Sequence, residues 1–285
     1  MLFKDIALKT LEESSEELSH FTKRSYYYCL QKLFHYAPNL HCEQINSQFV
    51  KEYRNHLIEL GNKPATIAKA LSVLRNFLRR LMTKGVISEN PFADIKIKRV
   101  YSHRQFLNVS DLRKLFYRFM EHENMLRIPE RNAVRAFLFS CFTGLRYSDL
   151  KSLTFDEIKD GKIRKQMHKT GDYVYIPIPE QAKALLPKCN EGKCLKVSEN
   201  SYFNKFLRSG ANRLGISQRL HCHLARHTFA TTCLSLDIPL AVTSKLLGHR
   251  EISTTLIYAK YIDTILDKEM RKFKNYDLPT GYLGC

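Results

Sequence analysis

The sequence predicts a mainly α protein of two domains. A helical domain covers residues 1–100, and after a connector at 101–108 a mostly helical α+β domain with a small antiparallel sheet covers 109–285. Three observations carry this. Through the first hundred residues apolar side chains recur at helical spacing, with no alternating run long enough to compete. One alternating stretch, within 161–178, is the clear strand signal. From about residue 202 the helical spacing returns, broken near Gly215, Pro239, Gly248 and Pro279. A chain of 285 residues supplies two cores without disulfide staples.

A first helix is expected over 4–18. Thr22 can cap a second that runs to Tyr36, with Tyr26, Leu30, Leu33 and Phe34 on one face and Pro38 as its stop. Asn46 or Ser47 opens a third, whose stripe is Phe49, Tyr53, Leu57 and Leu60, before Gly61. Pro64 suits the first turn of a fourth, with a broad apolar face from Ile67 to Leu81 and an end at Gly85. In the second domain Ser110 and Asp111 can cap a helix carrying Leu112, Leu115, Phe116 and Phe119. The nearly unbroken apolar run from Ala133 to Phe142 predicts a buried helix ending at Gly144. Val174, Ile176 and Ile178 alternate with Tyr173 and Tyr175 behind a turn at 169–172, which marks a hairpin.

Lys and Arg number 46 against 28 Asp and Glu, a net charge of +18. That excess argues against an ordinary small-molecule enzyme and for a polyanionic partner, nucleic acid first. A hydrophobic fraction of 44% is too high for a disordered basic tail, so the charge lies on a folded surface. The polar side of the helix opened by Pro64 carries Lys63, Lys69, Arg75, Arg79, Arg80 and Lys84, and the following connector adds Lys96, Lys98, Arg99 and Arg104. Only Glu89 and Asp94 oppose them between 60 and 110. A lone basic helix face is usually just solvated, whereas this density is expected to track a phosphate backbone. No apolar stretch reaches the roughly 18 to 20 residues of a membrane span, and the N-terminus lacks a signal-peptide core. A cytoplasmic, nucleoid-associated location is therefore expected. The eight cysteines repeat no CxxC pair and are read as reduced thiols. Cys189, Cys194 and Cys222, with His221 and His223, match no common zinc-finger spacing, so no metal is expected.

The candidates for chemistry lie in four pieces of the second domain. There is no Walker-type glycine loop and no pair of carboxylate motifs suited to two metal ions, so ATP hydrolysis and two-metal phosphodiester cleavage lack their parts. What remains is an amino-acid nucleophile, with side-chain cations in place of a metal. TGLRYSDL at 143–150 sets Arg146 just past a buried helix and its glycine stop. HLARHTFAT at 223–231 puts His223 and Arg226 at i and i+3, facing the same way. LLGHREISTTLIY at 246–258 brings His249 after Gly248 and Tyr258 near the end of a short helix. Lys169 stands at the hairpin tip.

Arg, Lys, His-x-x-Arg, His and Tyr, in that order, resemble the tyrosine recombinases, the lambda-integrase family of site-specific DNA recombinases. All six positions are filled here, by Arg146, Lys169, His223, Arg226, His249 and Tyr258. The N-terminal helices resemble that family's SAM-like core-binding domain, so the likeness covers nearly the whole chain. The early entry into this domain is similar to the compact Xer-like and invertase-like members, which lack an arm-binding domain. The resemblance implies a C-shaped clamp on double-stranded DNA target sites. It also implies strand cleavage, exchange and rejoining through a 3′-phosphotyrosine that needs neither metal nor ATP, because the covalent bond stores the energy of the broken phosphodiester. A tetramer on two DNA sites is implied too, linked by exchange of a C-terminal helix carrying Ile262, Ile265, Leu266, Met270 and Phe273, with a place for accessory DNA-bending proteins.

The same resemblance implies the roles. Tyr258 is the nucleophile. A free phenol of pKa about 10 is only about 0.1% ionised at pH 7, a deficit of about 4 kcal/mol that nearby cations and a proton acceptor must make good. Arg146 and Arg226 clamp the phosphate, since a planar guanidinium bonds two oxygens and keeps its charge. Lys169, which alone would read as a solvated turn lysine, protonates the departing 5′-oxygen; Lys162 and Lys165 are its rivals should the register differ. His223 accepts a proton from, or orients, Tyr258, and His249 donates to a phosphate oxygen. His221 and His227 lack the i to i+3 relation to Arg226 and are read as structural, and His168 is expected to face away from the hairpin's working side. Asp149 is expected to steady Arg146 or a histidine from behind, or simply to start a helix. A type IB topoisomerase, a noncatalytic DNA-binding regulator and a metal-dependent nuclease stay open as alternatives. Neither the target site nor the outcome, whether integration, excision, inversion or resolution, is written in these motifs.

Overall fold

The computed structural model describes residues 1–14, 18–98, 105–188 and 191–259. The chain divides into two compact units, 1–103 and 104–285. Both are mainly helical, and the second holds the sheet, as the residue patterns predict.

The first unit is built of α1 (Phe3–Glu13), α2 (His20–Tyr36), α3 (Ser47–Glu59) and α4 (Pro64–Thr83). Phe3, Leu30, Leu33, Tyr53, Leu74 and Leu78 anchor its core. Two ends differ from expectation. α1 stops at Glu13, short of 18, and α2 is capped by Ser19, whose Oγ accepts the N–H of Thr22. Thr22 therefore lies inside the first turn, because a cap must precede the amide it satisfies by two or three residues. In α3, Asn46 is the cap, accepting from Phe49 N–H at 2.9 Å. Val50 joins Tyr53 and Leu57 in the core, while Leu60 is 63% exposed: it sits past the last helical residue, where helical spacing no longer sets direction.

The second unit opens with α5 (Val109–His122), capped by Asn108 through Asp111 N–H at 2.8 Å, so the cap falls ahead of the expected Ser110. α6 (Ile128–Thr143) is its buried spine, with Val134, Ala136, Phe137, Leu138 and Phe139 all fully buried. Then come α7 (Tyr147–Ser152), β1 (Ile158–Lys159), β2 (Lys162–Gln166) and β3 (Tyr173–Pro177), followed by α8 (Glu180–Lys183), α9 (Asn200–Arg213), α10 (Cys222–Ser235), α11 (Leu240–Leu246) and α12 (Ser253–Ala259). The sheet is antiparallel in the order β1-β2-β3, with Ile163 opposite Ile176 and Lys165 opposite Val174. β1 escapes sequence reading because two residues cannot show an alternation. The spine helix α6 packs against α9 and α10.

Glu130, fully buried on the first turn of α6, ties that helix to α9. It accepts from Arg127 N–H at 3.0 Å, Arg127 Nη2 at 2.6 Å, Ser209 Oγ at 2.6 Å and Arg213 Nε at 3.3 Å. The bond from Arg127, outweighing burial and helped by Ser209, draws its pKa from 4.5 to about 2. A carboxylate depressed in the fold adds stability that is complete above its unfolded value and is lost as pH falls through the folded one. Thermal melts of Glu130→Gln against the parent are therefore expected to differ most at neutral pH and to converge between about pH 4.5 and about pH 2. A constant gap across that range would contradict the assignment.

Among the described residues the cysteines are free thiols, no group of three or more His, Cys, Asp or Glu side chains could hold a metal ion, and no helix is long and apolar enough to cross a membrane.

Candidate active site

The site begins where α6 ends. Gly144 turns the chain with φ +69°, and a Cβ there would lie 2.5 Å from Phe229 Cδ1 and 3.2 Å from Leu247 Cδ2. Only glycine lets α10 and the end of α11 press this close to the turn. The closeness has a polar consequence: Arg226, 6% exposed, donates to the Gly144 carbonyl at 2.7 Å and to the Leu247 carbonyl at 2.5 Å. Arg146, the residue before α7, donates through Nη2 to the next carbonyl, Gly248, at 3.2 Å. Its Nη1 is buried with no hydrogen-bond partner. Two guanidiniums from distant parts of the chain are thus gathered on one short backbone run.

Their bonded partners are neutral carbonyls, so the charge is only partly offset. Burial lowers the pKa of Arg226, and the neighbouring Arg146 lowers it further, while Tyr258 and Asp149 act the other way. Arg146 is lowered by burial and raised by Asp149, Asp172 and Tyr258. An entering anion would relieve both and could give Arg146 Nη1 the acceptor it lacks.

Tyr258, 2% exposed on α12, places its hydroxyl 2.7 Å from Nδ1 of His227. The two rings lie 5.5 Å apart. His249 follows Gly248 and places Nδ1 2.7 Å from Oγ1 of the fully buried Thr255. His223 is exposed on the first turn of α10, one turn before His227. Lys169 is exposed on the turn between β2 and β3. Its rivals are engaged elsewhere: Lys165, 5% exposed, is paired with both carboxylate oxygens of Glu157 at 2.8 Å, and Lys162 lies 5.3 Å from the centre of the Tyr175 ring. Fully buried Asp149 accepts from the His168 N–H at 2.8 Å through Oδ1, fastening α7 to the hairpin turn just before Lys169, while Oδ2 has no hydrogen-bond partner. The carboxylate acts on both guanidiniums through its charge.

Sequence reading passed over His227 and Thr255 as members of this cluster. Each left a trace. His227 is four residues after His223, which places both on one side of α10, and Thr255 is three before Tyr258 on α12.

In the first unit Lys69, Arg75 and Arg79 are exposed on the side of α4 away from its core, with Lys63 just ahead of the helix and Lys96 and Lys98 exposed beyond it. Two of the basic residues also tie down α1: Arg80 donates to Ser14 Oγ, and Lys84 pairs with Glu13 at 3.0 Å. Arg99 and the expected C-terminal docking helix lie outside the described residues.

The pattern of the Phage integrase family matches residues 105–264, and that of the Phage integrase SAM-like domain matches 2–99. The chain belongs to the phage integrase family. Within it, the chain is similar to Tyrosine recombinase XerC of Thermodesulfovibrio yellowstonii, 27% identical over 279 residues that cover 88% of this chain and 90% of the relative. Among solved structures it is similar in fold to a lambda integrase dimer bound to a COC′ core site, with a TM-score of 0.71, 19% identity, and coverage of 89% of this chain and 97% of the other. A lambda integrase tetramer bound to a Holliday junction gives the same TM-score of 0.71 at 19% identity, covering 90% of this chain and 77% of the other.

Proposed function

We propose that this chain is a site-specific DNA recombinase that cuts and rejoins strands through Tyr258. The observation that carries the reading is that Arg226 and Arg146 are held on the carbonyls of the adjacent residues Leu247 and Gly248, that both feel the charge of Tyr258, and that one Arg146 nitrogen is buried with no hydrogen-bond partner. The Tyr258 oxygen attacks the phosphorus, the bond from phosphorus to the 5′-oxygen breaks, and the 3′-phosphate stays on the tyrosine. The departing 5′-oxygen takes a proton from Lys169, and the phenolic proton passes to an imidazole of α10. Reversal of these steps with a different 5′-hydroxyl rejoins the strands, so the bond count is conserved and no ATP is called for. Arg146, Arg226 and His249 hold the nonbridging oxygens as negative charge gathers on them.

The exposed cations of α4, with Lys96 and Lys98 beyond it, meet the duplex through its phosphates. The lambda integrase tetramer bound to a Holliday junction supports a working unit of four protomers; the family resemblance adds two DNA sites, joining through the C-terminal segment and a place for accessory DNA-bending proteins. Such a protein works at the nucleoid, in the cytoplasm.

His223 is the family's acceptor position, whereas the 2.7 Å contact gives Tyr258 to His227. The resemblance assigns the proton to His223, and the contact assigns the aim of the phenol to His227. His223→Ala is expected to remove the acidic limb of the cleavage pH profile, and His227→Ala to slow cleavage with that limb intact. If the limb follows His227, the two roles are exchanged.

The test of function is covalent capture. The protein is incubated with randomised duplexes nicked near their centre, with chelator present, and DNA attached to protein is recovered under denaturing conditions and sequenced. Recovery of one shared sequence supports a site-specific recombinase. Capture without sequence preference would favour a topoisomerase, and cleavage that chelator abolishes would favour a nuclease.

A further inference from the structure

Arg250 is outside the six family positions, yet it joins two parts of the site. Its Nε donates to Asp172 Oδ2 at 2.8 Å, while Nη2 donates to the Thr170 carbonyl and lies 3.4 Å from Asp172 Oδ1. Thr170 directly follows Lys169. The hairpin tip is itself closed: Met167 N–H donates to the Asp172 carbonyl at 2.9 Å, and Gly171 N–H donates to the Met167 carbonyl at 2.8 Å. A grip on 170 and 172 therefore fixes the backbone on which Lys169 is carried.

The other end of the grip is the run from Leu247 to Arg250. Leu247 offers its carbonyl to Arg226, and Gly248 offers its carbonyl to Arg146. Gly248 (φ +59°) lies so close to the sheet that a Cβ there would stand 2.7 Å from Val174 Cγ1. His249 is next, bonded to Thr255. Four consecutive residues thus touch both guanidiniums, α12 and the hairpin. The Arg250 and Asp172 side chains are 66% and 44% exposed, and an ion pair so open to water adds little to stability. What three bonds from one guanidinium do supply is position. Besides Arg250, Asp172 feels the charge of Arg146.

We propose that Arg250 is a positioning residue that latches the Lys169 hairpin to the loop carrying His249 and the arginine-binding carbonyls, so that a phosphate held by the arginines finds the ammonium of Lys169 beside its leaving oxygen. This rests on the assignment of Lys169 as proton donor. Arg250 touches neither phosphate nor nucleophile in this scheme; it acts through the lysine.

The experiment varies the leaving group. The duplex recovered by covalent capture is made with either the ordinary 5′-oxygen or a bridging 5′-sulfur at the cleaved phosphate. A thiolate departs without a proton, so sulfur bypasses any defect in protonation. With oxygen, Arg250→Ala is expected to cleave at least about tenfold more slowly, within the range lost when a general acid is misplaced. Its DNA affinity, salt dependence and melting temperature are expected to stay at parental values, and with sulfur its rate is expected to return to near parental. Asp172→Asn is expected to act in the same direction, and the double variant to be no slower than Arg250→Ala, since both changes open one latch. Parental cleavage of oxygen by Arg250→Ala, equal slowing with both leaving groups, or a loss traced to weaker DNA binding would each overturn the latch. Rescue of Lys169→Ala by sulfur without rescue of Arg250→Ala overturns the latch alone. If sulfur rescues neither, the Lys169 assignment fails and the latch with it.

Discussion

Tyr258→Phe is expected to reduce the covalent protein–DNA adduct to background while leaving DNA binding and the fold in place. The change removes one oxygen from a side chain that is 2% exposed and keeps the ring that packs in the cluster of α10 and α12. The structural loss includes the contact with His227, about 1 kcal/mol for an ordinary hydrogen bond. The chemical loss is total, because no other atom of the side chain can bond to phosphorus. Denaturing electrophoresis beside a melting curve and a binding titration separates the two. A persisting adduct would mean another nucleophile, with Tyr261, three residues further along the sequence and outside the described residues, the first to examine.

Arg226→Lys is the second large effect, and it should fall on stability and chemistry together. One guanidinium satisfies the carbonyls of Gly144 and Leu247, at 2.7 and 2.5 Å. A lysine head on a single flexible stem cannot span both, so one buried carbonyl is left bare at a cost of about 1–3 kcal/mol. Cleavage should fall on the order of a hundredfold or more as a donor to the transition state is lost. Arg146→Lys gives the contrast. Its one backbone bond, at 3.2 Å, is longer, and its Nη1 bonds nothing in the fold. A comparable fall in cleavage is expected there, with a smaller fall in melting temperature. Equal loss of stability in both variants would contradict the division of labour drawn between the two arginines.

Much of this was legible in the residues. The glycine stop before Arg146, the i to i+3 pair on α10 and the short helix ending near Tyr258 are local features, and local features survive into the fold. What stayed hidden was contact across the chain. Arg226 meets a carbonyl 82 residues away and Arg250 a carboxylate 78 away, and no periodicity encodes either pairing. The choice between His223 and His227 as the phenol's partner turns on where α12 lands against α10, which depends on packing rather than on the motif. Asp149 illustrates the same limit: its place one turn past Arg146 suggested a bond to a side chain, yet its carboxylate is engaged by the His168 backbone.

The most direct test is to map the link itself. The adduct formed with the captured duplex is digested with protease and nuclease, and the remaining nucleopeptide is sequenced by mass spectrometry. The account expects the peptide containing Tyr258, joined through its phenolic oxygen to a 3′-phosphate, with a free 5′-hydroxyl on the released strand. Attachment at any other residue, or to a 5′-phosphate, would contradict it.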